Sequence, residues 1–149
     1  MTLAKDFMVE TEFLFGFQPK DKYYDIVSSA LKEYSAKKPF RLYYPVSAIV
    51  ELREVMASHE KSSEERLNAL TYIKAKAVSF GLSEVGLFSD DLILCEDLLM
   101  QHEFLTLFDG LHAAVALNNR FAVVSNDETY NKLGIERLSF KSFLELLKK

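Results

Sequence analysis

The chain has 149 residues, a globular composition and a small excess of acidic side chains, which together exclude several classes of protein. Hydrophobic residues make up 49% of the sequence, charged residues 27%, and the formal net charge is −4. This balance is typical of a globular protein and argues against one that coats a polyanion such as DNA. A single cysteine excludes an internal disulfide framework and a Cys-rich zinc site. The length predicts one domain over residues 1–149.

The N-terminal sequence and the apolar runs indicate where the protein acts. Asp6, Glu10 and Glu12 interrupt the first apolar stretch, which a secretory signal would not tolerate. No uninterrupted apolar run approaches the length that a bilayer requires. A lone Cys95 is also consistent with a reducing compartment. We therefore expect a cytoplasmic protein with no membrane partner.

Short apolar runs alternate with residues at helical spacing along the chain, and turn residues separate them. In the first half, the pattern predicts a strand over 7–9, a short helix within 13–17, a helix from a cap at Asp21 to about Ala36, a strand over 40–44, a helix capped by Ser47, and a helix from Ser62 or Ser63 to about Phe80. In the second half, it predicts a strand over 85–88, a helix capped by Ser89, a buried helix over 109–117, strands over 121–124 and 135–138, and a helix from a cap at Ser139 to about Leu147.

This alternation of strands and helices predicts the fold class. Strands that are separated by helices form parallel sheets, and parallel sheets are covered by helices on both faces. We therefore predict an α/β protein, a three-layer α/β/α sandwich with a mainly parallel sheet. Ligands of such sheets bind beyond the carboxyl ends of the strands, so the residues that follow the strands are the first candidates for function.

Four carboxylates fall at the ends of the predicted elements. Glu10 follows the first strand directly, Asp127 follows the 121–124 strand after two residues, Asp109 precedes the buried helix, and Glu51 borders the buried stripe of its own helix. Each has a structural alternative as a helix cap, a turn residue or an edge residue. Carboxylates that converge repel one another, however, and Mg²⁺ or Mn²⁺ is the natural cation to neutralise them.

Other kinds of site have little support in the sequence. The glycines are scattered and form no phosphate-binding loop, and His59, His102 and His112 show no metal-ligand spacing. A nucleophilic pair of Cys95 and His112 stays open as an alternative. Cys95 lies within an apolar helix pattern, however, where a cysteine usually acts as a small hydrophobic residue.

Four acid-bearing segments follow one another in a characteristic order. They are residues 9–14 with Glu10, 46–52 with Glu51, 108–117 with Asp109, and 123–127 with Asp127. In order and spacing they resemble the segments that carry the four acids of the PIN-domain nucleases, especially the small VapC-type ribonuclease toxins. The resemblance is strongest over 108–117 and 123–127, and it extends from about Phe7 to Leu147.

The resemblance implies a PIN-like fold and a metal-dependent endoribonuclease that hydrolyses RNA phosphodiester bonds. The four acids would act as catalytic residues and as ligands of one or two Mg²⁺ or Mn²⁺ ions. It also implies a homodimer and an antitoxin partner. The residues that would orient the carboxylates or contact the substrate are Thr11, Glu12, His112, Ser125 and Asn126.

The sequence departs from the PIN pattern at its first acid. The family has aspartate where this chain has Glu10, and usually a small polar residue where it has Glu12. Glutamate keeps the charge but carries it one methylene further out, and Mg²⁺ demands near-ideal geometry. Two functions therefore stay open: a working nuclease, and a PIN-fold protein with a degenerate site that binds RNA or a protein. A small-molecule hydrolase ranks third because no nucleophile motif is present.

Overall fold

The computed structural model of the protein describes residues 6–149, which contain five strands and eight helices. The strands are β1 (Phe7–Val9), β2 (Leu42–Pro45), β3 (Ser83–Val85), β4 (Ala122–Val124) and β5 (Arg137–Leu138). The helices are α1 (Thr11–Phe15), α2 (Tyr24–Lys37), α3 (Val46–Ser58), α4 (Ser63–Ser79), α5 (Ser89–Gln101), α6 (Leu107–Asn119), α7 (Thr129–Lys132) and α8 (Phe140–Lys148). None of these eight helices is long and apolar enough to cross a membrane.

The five strands form one sheet in the order β3-β2-β1-β4-β5, and every neighbouring pair is parallel. The central strand β1 is buried along its whole length. Its last residue, Val9, pairs with Val124 at the end of β4. The predicted parallel sheet is confirmed, and the carboxyl ends of β1 and β4 lie side by side.

The sheet separates two hydrophobic cores. Side chains alternate between the faces of a strand, so Phe7 and Val9 enter one core while Met8 enters the other. Helices α1, α2, α3, α4 and α8 contribute side chains to the first core, including Phe143 of α8, and helices α5, α6 and α7 contribute to the second. This arrangement confirms the predicted three-layer α/β/α sandwich.

Helix α6 packs against α5 at Gly110, where there is no room for a side chain. A Cβ atom at this position would stand 2.9 Å from the Sγ atom of Cys95 and 3.3 Å from Cδ2 of Leu99. Both atoms belong to α5, and Cys95 is fully buried. The small residue therefore sets the distance between the two helices that cover this face of the sheet.

Two predicted helix caps are wrong. Helix α2 begins three residues after Asp21, whose carboxylate instead accepts a hydrogen bond from the backbone N–H of Tyr23 at 2.9 Å in the preceding turn. Ser89 is the first residue of α5, and it is the buried Asp91 that accepts a hydrogen bond from Phe88 N at 2.9 Å. The observed N-cap residues are Tyr23, two residues after the predicted cap of α2, and Phe88, one residue before the predicted cap of α5. In both places an aspartate side chain accepts from the backbone N–H of the N-cap residue.

The predicted cap at Ser47 is also wrong, for a different reason. Strand β2 ends at Pro45 and α3 begins at the next residue, so no loop separates them. Ser47 therefore lies inside the first turn of α3, and its side chain is completely buried.

The strand predicted over 85–88 is displaced, because the observed strand ends three residues earlier. The observed β3 covers Ser83–Val85 and pairs with residues 43–45 of β2 at the edge of the sheet. Ser83 and Glu84 are exposed, so no apolar run marks this strand. The strands predicted over 40–44, 121–124 and 135–138 agree closely with β2, β4 and β5.

The start of α4 carries a reciprocal pair of capping bonds. Ser62 Oγ accepts from Glu65 N at 3.1 Å, and Glu65 Oε1 accepts from Ser62 N at 3.0 Å. We expect Ser62→Ala to lower the free energy of unfolding by about 1 kcal/mol, as measured by urea denaturation. Ser63→Ala, one residue further on, is the matched control with an expected loss below about 0.5 kcal/mol. Equal losses in the two variants would contradict the capping role.

Candidate active site

Glu10 and Asp127 stand at the carboxyl ends of the two neighbouring strands β1 and β4. Glu10 is buried and caps α1, because its Oε1 atom accepts a hydrogen bond from Glu12 N at 3.2 Å. Asp127 is half-buried, and its Oδ1 atom accepts from Thr129 N at 2.9 Å at the start of α7. The sheet thus brings two of the predicted acids to one edge, as the sequence indicated.

Glu51 reaches the same region from α3, which follows β2. Two donors hold its Oε1 atom: the Thr11 hydroxyl of α1 and His112 of α6, whose Nε2 atom lies 2.8 Å away. Burial disfavours the charged carboxylate, but these two hydrogen bonds outweigh it and lower the pKa of Glu51. Glu51 is therefore a carboxylate that the surrounding structure keeps ionised.

Asp109 lies in the first turn of α6, which begins two residues earlier than predicted. Its Oδ2 atom accepts from Thr106 N, and Thr106 Oγ1 accepts from Asp109 N, both at 3.3 Å. A carboxylate in this position also interacts favourably with the positive end of the helix dipole. The third predicted acid thus has a structural role as a helix cap, and its side chain stays half-buried.

Glu51 and Asp127 act on Glu10 through the low-dielectric interior. Burial, followed by the charge of Glu12, raises the pKa of Glu10 to about 8, and Glu51 and Asp127 contribute further. Tyr130 is buried, and its pKa is raised well above the usual value by burial and by the charges of Glu10, Asp109, Asp127 and Glu51. The tyrosine therefore lies within electrostatic range of all four acids.

Each of the four carboxylates has one oxygen held by the protein and one that is not. The held atoms are Oε1 of Glu10, Oε1 of Glu51, Oδ2 of Asp109 and Oδ1 of Asp127. Among residues 6–149, the second oxygen of each has no hydrogen-bond partner, and no Lys or Arg forms an ion pair with any of the four. Within the described part of the chain, none of the four is therefore neutralised by a Lys or Arg side chain.

Comparison with known proteins identifies the fold. No family model and no curated protein matches the sequence. Among solved structures, a chain of VapBC2 from Rickettsia felis, bound to a DNA fragment from its promoter, is 13% identical with a TM-score of 0.68, and the match covers 90% of this chain and 98% of that one. The chain has the PIN-like fold of the VapC toxins.

Two further structures share this PIN-like fold. VapC20 from Mycobacterium tuberculosis, a toxin that cleaves the sarcin-ricin loop, is 15% identical with a TM-score of 0.64, and 87% of this chain and 95% of that one are covered. DNA-bound VapBC from Salmonella typhimurium is 17% identical with a TM-score of 0.62, and 91% and 98% are covered. The likeness predicted from four acid-bearing segments is thereby confirmed for the fold.

In this PIN-like fold, the carboxylates offer the right kind of donor for Mg²⁺ or Mn²⁺, which prefer oxygen ligands. As the side chains stand, no three His, Cys, Asp or Glu residues in the part of the chain that the structure describes lie close enough together to hold a metal ion. Burial raises the pKa of Glu10 most, and the charges of Glu12, Glu51 and Asp127 raise it further; a bound cation would oppose both effects. The donor set therefore fits a hard divalent ion in chemical type.

The other predicted site residues divide into two groups. Glu12 and Asn126 are exposed beside the acids, although Asn126 Oδ1 accepts a hydrogen bond from Phe140 N at 3.0 Å. Ser125 is buried, and its Oγ atom accepts from Asp127 N at 3.0 Å. Ser125 thus orients the backbone that presents Asp127, whereas Glu12 and Asn126 are accessible from solvent.

One predicted pair of residues is not formed, and one residue of the site was not predicted. The Cys95 thiol contacts the backbone oxygen of Leu107 at 3.8 Å, and the side-chain hydrogen bonds of His112 go to other residues, so the alternative Cys–His pair is not formed. Tyr130 escaped prediction because its only signal in the sequence is its position three residues after Asp127.

Proposed function

We propose that this protein is a metal-dependent endoribonuclease that hydrolyses RNA phosphodiester bonds as the toxin of a toxin–antitoxin pair. The observation that carries the proposal is the group of four carboxylates around Tyr130, each with one oxygen free and none paired with Lys or Arg in residues 6–149. VapC20, which has the same fold, cleaves the sarcin-ricin loop, and this supports RNA as the substrate.

The free oxygens of Glu10, Glu51, Asp109 and Asp127 are the atoms that would hold one or two Mg²⁺ or Mn²⁺ ions. Such an ion supplies Lewis-acid chemistry and a water of lowered pKa for attack on phosphorus. Glu10 has to lose its proton to serve as a ligand, because at neutral pH its raised pKa keeps it largely protonated. Metal binding is therefore expected to release a proton.

The chain's own residues hold the acids in place for this chemistry. Thr11 and His112 hold Glu51, the backbone N–H of Thr129 holds Asp127, and Ser125 fixes the turn that carries Asp127. Because each carboxylate is anchored through one oxygen, its second oxygen is oriented before any ligand binds. Such preorganisation lowers the cost of assembling a catalytic site.

The proposal includes partners and a location. The matched chains of VapBC2 and VapBC, which share the fold, come from VapBC complexes. We therefore infer an antitoxin partner for this chain as well. A homodimer and a cytoplasmic location are further parts of the proposal. Cys95 is buried and unpaired, which suits a reducing compartment.

The first test is cleavage of a labelled RNA pool by the purified full chain. We expect cleavage with Mg²⁺ or Mn²⁺ and its loss in EDTA, with recovery when the metal is restored. A chain that stays folded but cleaves nothing with either metal would contradict the nuclease assignment. Cleavage that is unaffected by EDTA would contradict the role of the metal.

Glu10 favours one alternative, a PIN-like protein with a degenerate site that binds RNA or a protein. Where the PIN pattern has aspartate, this chain has a longer side chain whose raised pKa opposes ionisation. The Glu10→Asp variant separates the two functions in the same assay. Cleavage by Glu10→Asp alone would identify a damaged nuclease site, whereas cleavage by the unaltered chain supports the proposal above.

A further inference from the structure

His112 occupies a buried position between three helices. It lies on α6, one turn after Asp109, and only 1% of its surface is exposed. Its ring contacts three side chains of other helices, Thr11 of α1 and Ser47 and Glu51 of α3. It also stacks on Phe108, with the ring centroids 6.2 Å apart. Substrate therefore has no direct access to this histidine.

The hydrogen bonds indicate which ring nitrogen of His112 carries the proton. Ser47 Oγ lies 2.8 Å from Nδ1 of His112, and within residues 6–149 the Ser47 hydroxyl has no other acceptor. The serine proton is therefore placed in this bond, and Nδ1 accepts it. The ring proton then resides on Nε2, which donates to Glu51 Oε1 at 2.8 Å.

The result is a chain of hydrogen bonds that ends on one carboxylate oxygen. Ser47 donates to His112, His112 donates to Oε1 of Glu51, and the Thr11 hydroxyl donates to the same oxygen. With Oε1 held from two sides, the carboxylate cannot rotate freely, and Oε2 is left without a partner in the described residues. Donors from two helices, α1 and α6, thus converge on one acid of α3.

We propose that His112, fixed by Ser47, is a positioning residue that holds Glu51 so that its Oε2 atom is presented to the metal. This inference rests on the proposed function, because it assigns Glu51 as a ligand. It differs from a packing role for a core histidine, which requires only a side chain of suitable volume. Groups that orient a metal ligand typically change metal affinity 10–100-fold when they are removed.

Two substitutions at the same position separate positioning from packing. His112→Leu fills the cavity but donates no hydrogen bond, whereas the amide nitrogen of His112→Gln reaches about as far as Nε2 and keeps a donor for Glu51. By calorimetric titration of the full chain with Mn²⁺, we expect His112→Leu to bind about 10–100-fold more weakly. His112→Gln is expected to recover most of the affinity. Thermal unfolding of each variant checks that the comparison is made on folded protein.

A second measurement tests the hydrogen-bond chain without metal. The ¹⁵N NMR signals of the His112 ring are expected to show the proton on Nε2 in the unaltered chain. Ser47→Ala removes the group that fixes this tautomer, so we expect a mixture of tautomers and weaker Mn²⁺ binding. Ser47→Ala removes a single oxygen atom, and it tests the same hydrogen-bond chain if His112→Leu does not fold.

The outcomes distinguish this inference from the proposed function. Equal Mn²⁺ affinity in the unaltered chain, His112→Leu and Ser47→Ala would overturn the positioning role and leave the nuclease assignment intact. A proton on Nδ1 would also overturn it. If the unaltered chain binds no Mn²⁺ and cleaves no RNA, the proposed function fails and this inference falls with it.

Discussion

Asp127→Asn is expected to lower metal-dependent RNA cleavage by at least about a hundredfold, since it removes a proposed ligand and not merely a group that orients one. The structure shows which interaction of Asp127 this substitution keeps and which it removes. Oδ1 of Asp127 accepts from the backbone N–H of Thr129, and the amide oxygen of asparagine can do the same. The substitution therefore removes the charge and the free oxygen while it leaves the turn into α7 intact.

Glu145→Gln provides the matched control for this prediction. Glu145 is exposed on α8, so the same net change of charge is made away from the acids, and cleavage is expected to stay within about twofold. Rates are measured on labelled RNA at saturating Mg²⁺ and Mn²⁺, with thermal unfolding as a check of the fold. Undiminished cleavage by Asp127→Asn would place the chemistry elsewhere in the molecule.

The metal-free protein is expected to become less stable as the pH rises from about 5 to 8, because of Glu10. Burial and the charges of nearby acids raise the pKa of Glu10 from 4.5 to about 8 in the folded state. Between these values the folded chain keeps a proton that the unfolded chain has lost, so unfolding releases a proton and a higher pH favours it. The shift corresponds to a loss of a few kcal/mol at pH 8.

Glu10→Gln separates this contribution from those of the other titratable groups of the chain. The amide oxygen keeps the acceptor for Glu12 N but cannot ionise. In urea titrations with EDTA, we expect the two proteins to differ little at pH 5 and the Gln variant to be more stable by a few kcal/mol at pH 8. A difference in stability that does not change with pH would contradict the raised pKa.

The order of the elements and the position of Glu10 and Asp127 at one edge of the sheet could be predicted because both depend on short-range patterns. Buried parallel strands are continuous apolar runs, and residues that follow neighbouring strands share an edge, which placed Glu10 and Asp127 together. Caps such as Ser62 and Ser139 follow local rules. The edge strand β3 did not follow them, because it is exposed and its pairing with β2 determines where it lies.

The hydrogen-bond chain at Glu51 could not be predicted, because its members are far apart in the sequence. Ser47 and His112 are 65 residues apart, and only the packing of α6 against α3 brings them together. In the sequence, Ser47 also resembles a helix cap. No local pattern shows that β2 and α3 join without a loop. Tyr130 escaped for the same reason, since its burial among the acids follows from tertiary packing alone.

The close contact at Gly110 limits how this site can change during evolution. One helix carries both Asp109 and His112, and the glycine between them fixes how deeply that helix sits against its neighbour. A larger residue at this position would displace an acid and the support of a second acid in a single step. A larger residue at position 110 is therefore expected only together with a smaller residue at Cys95 or Leu99 of α5.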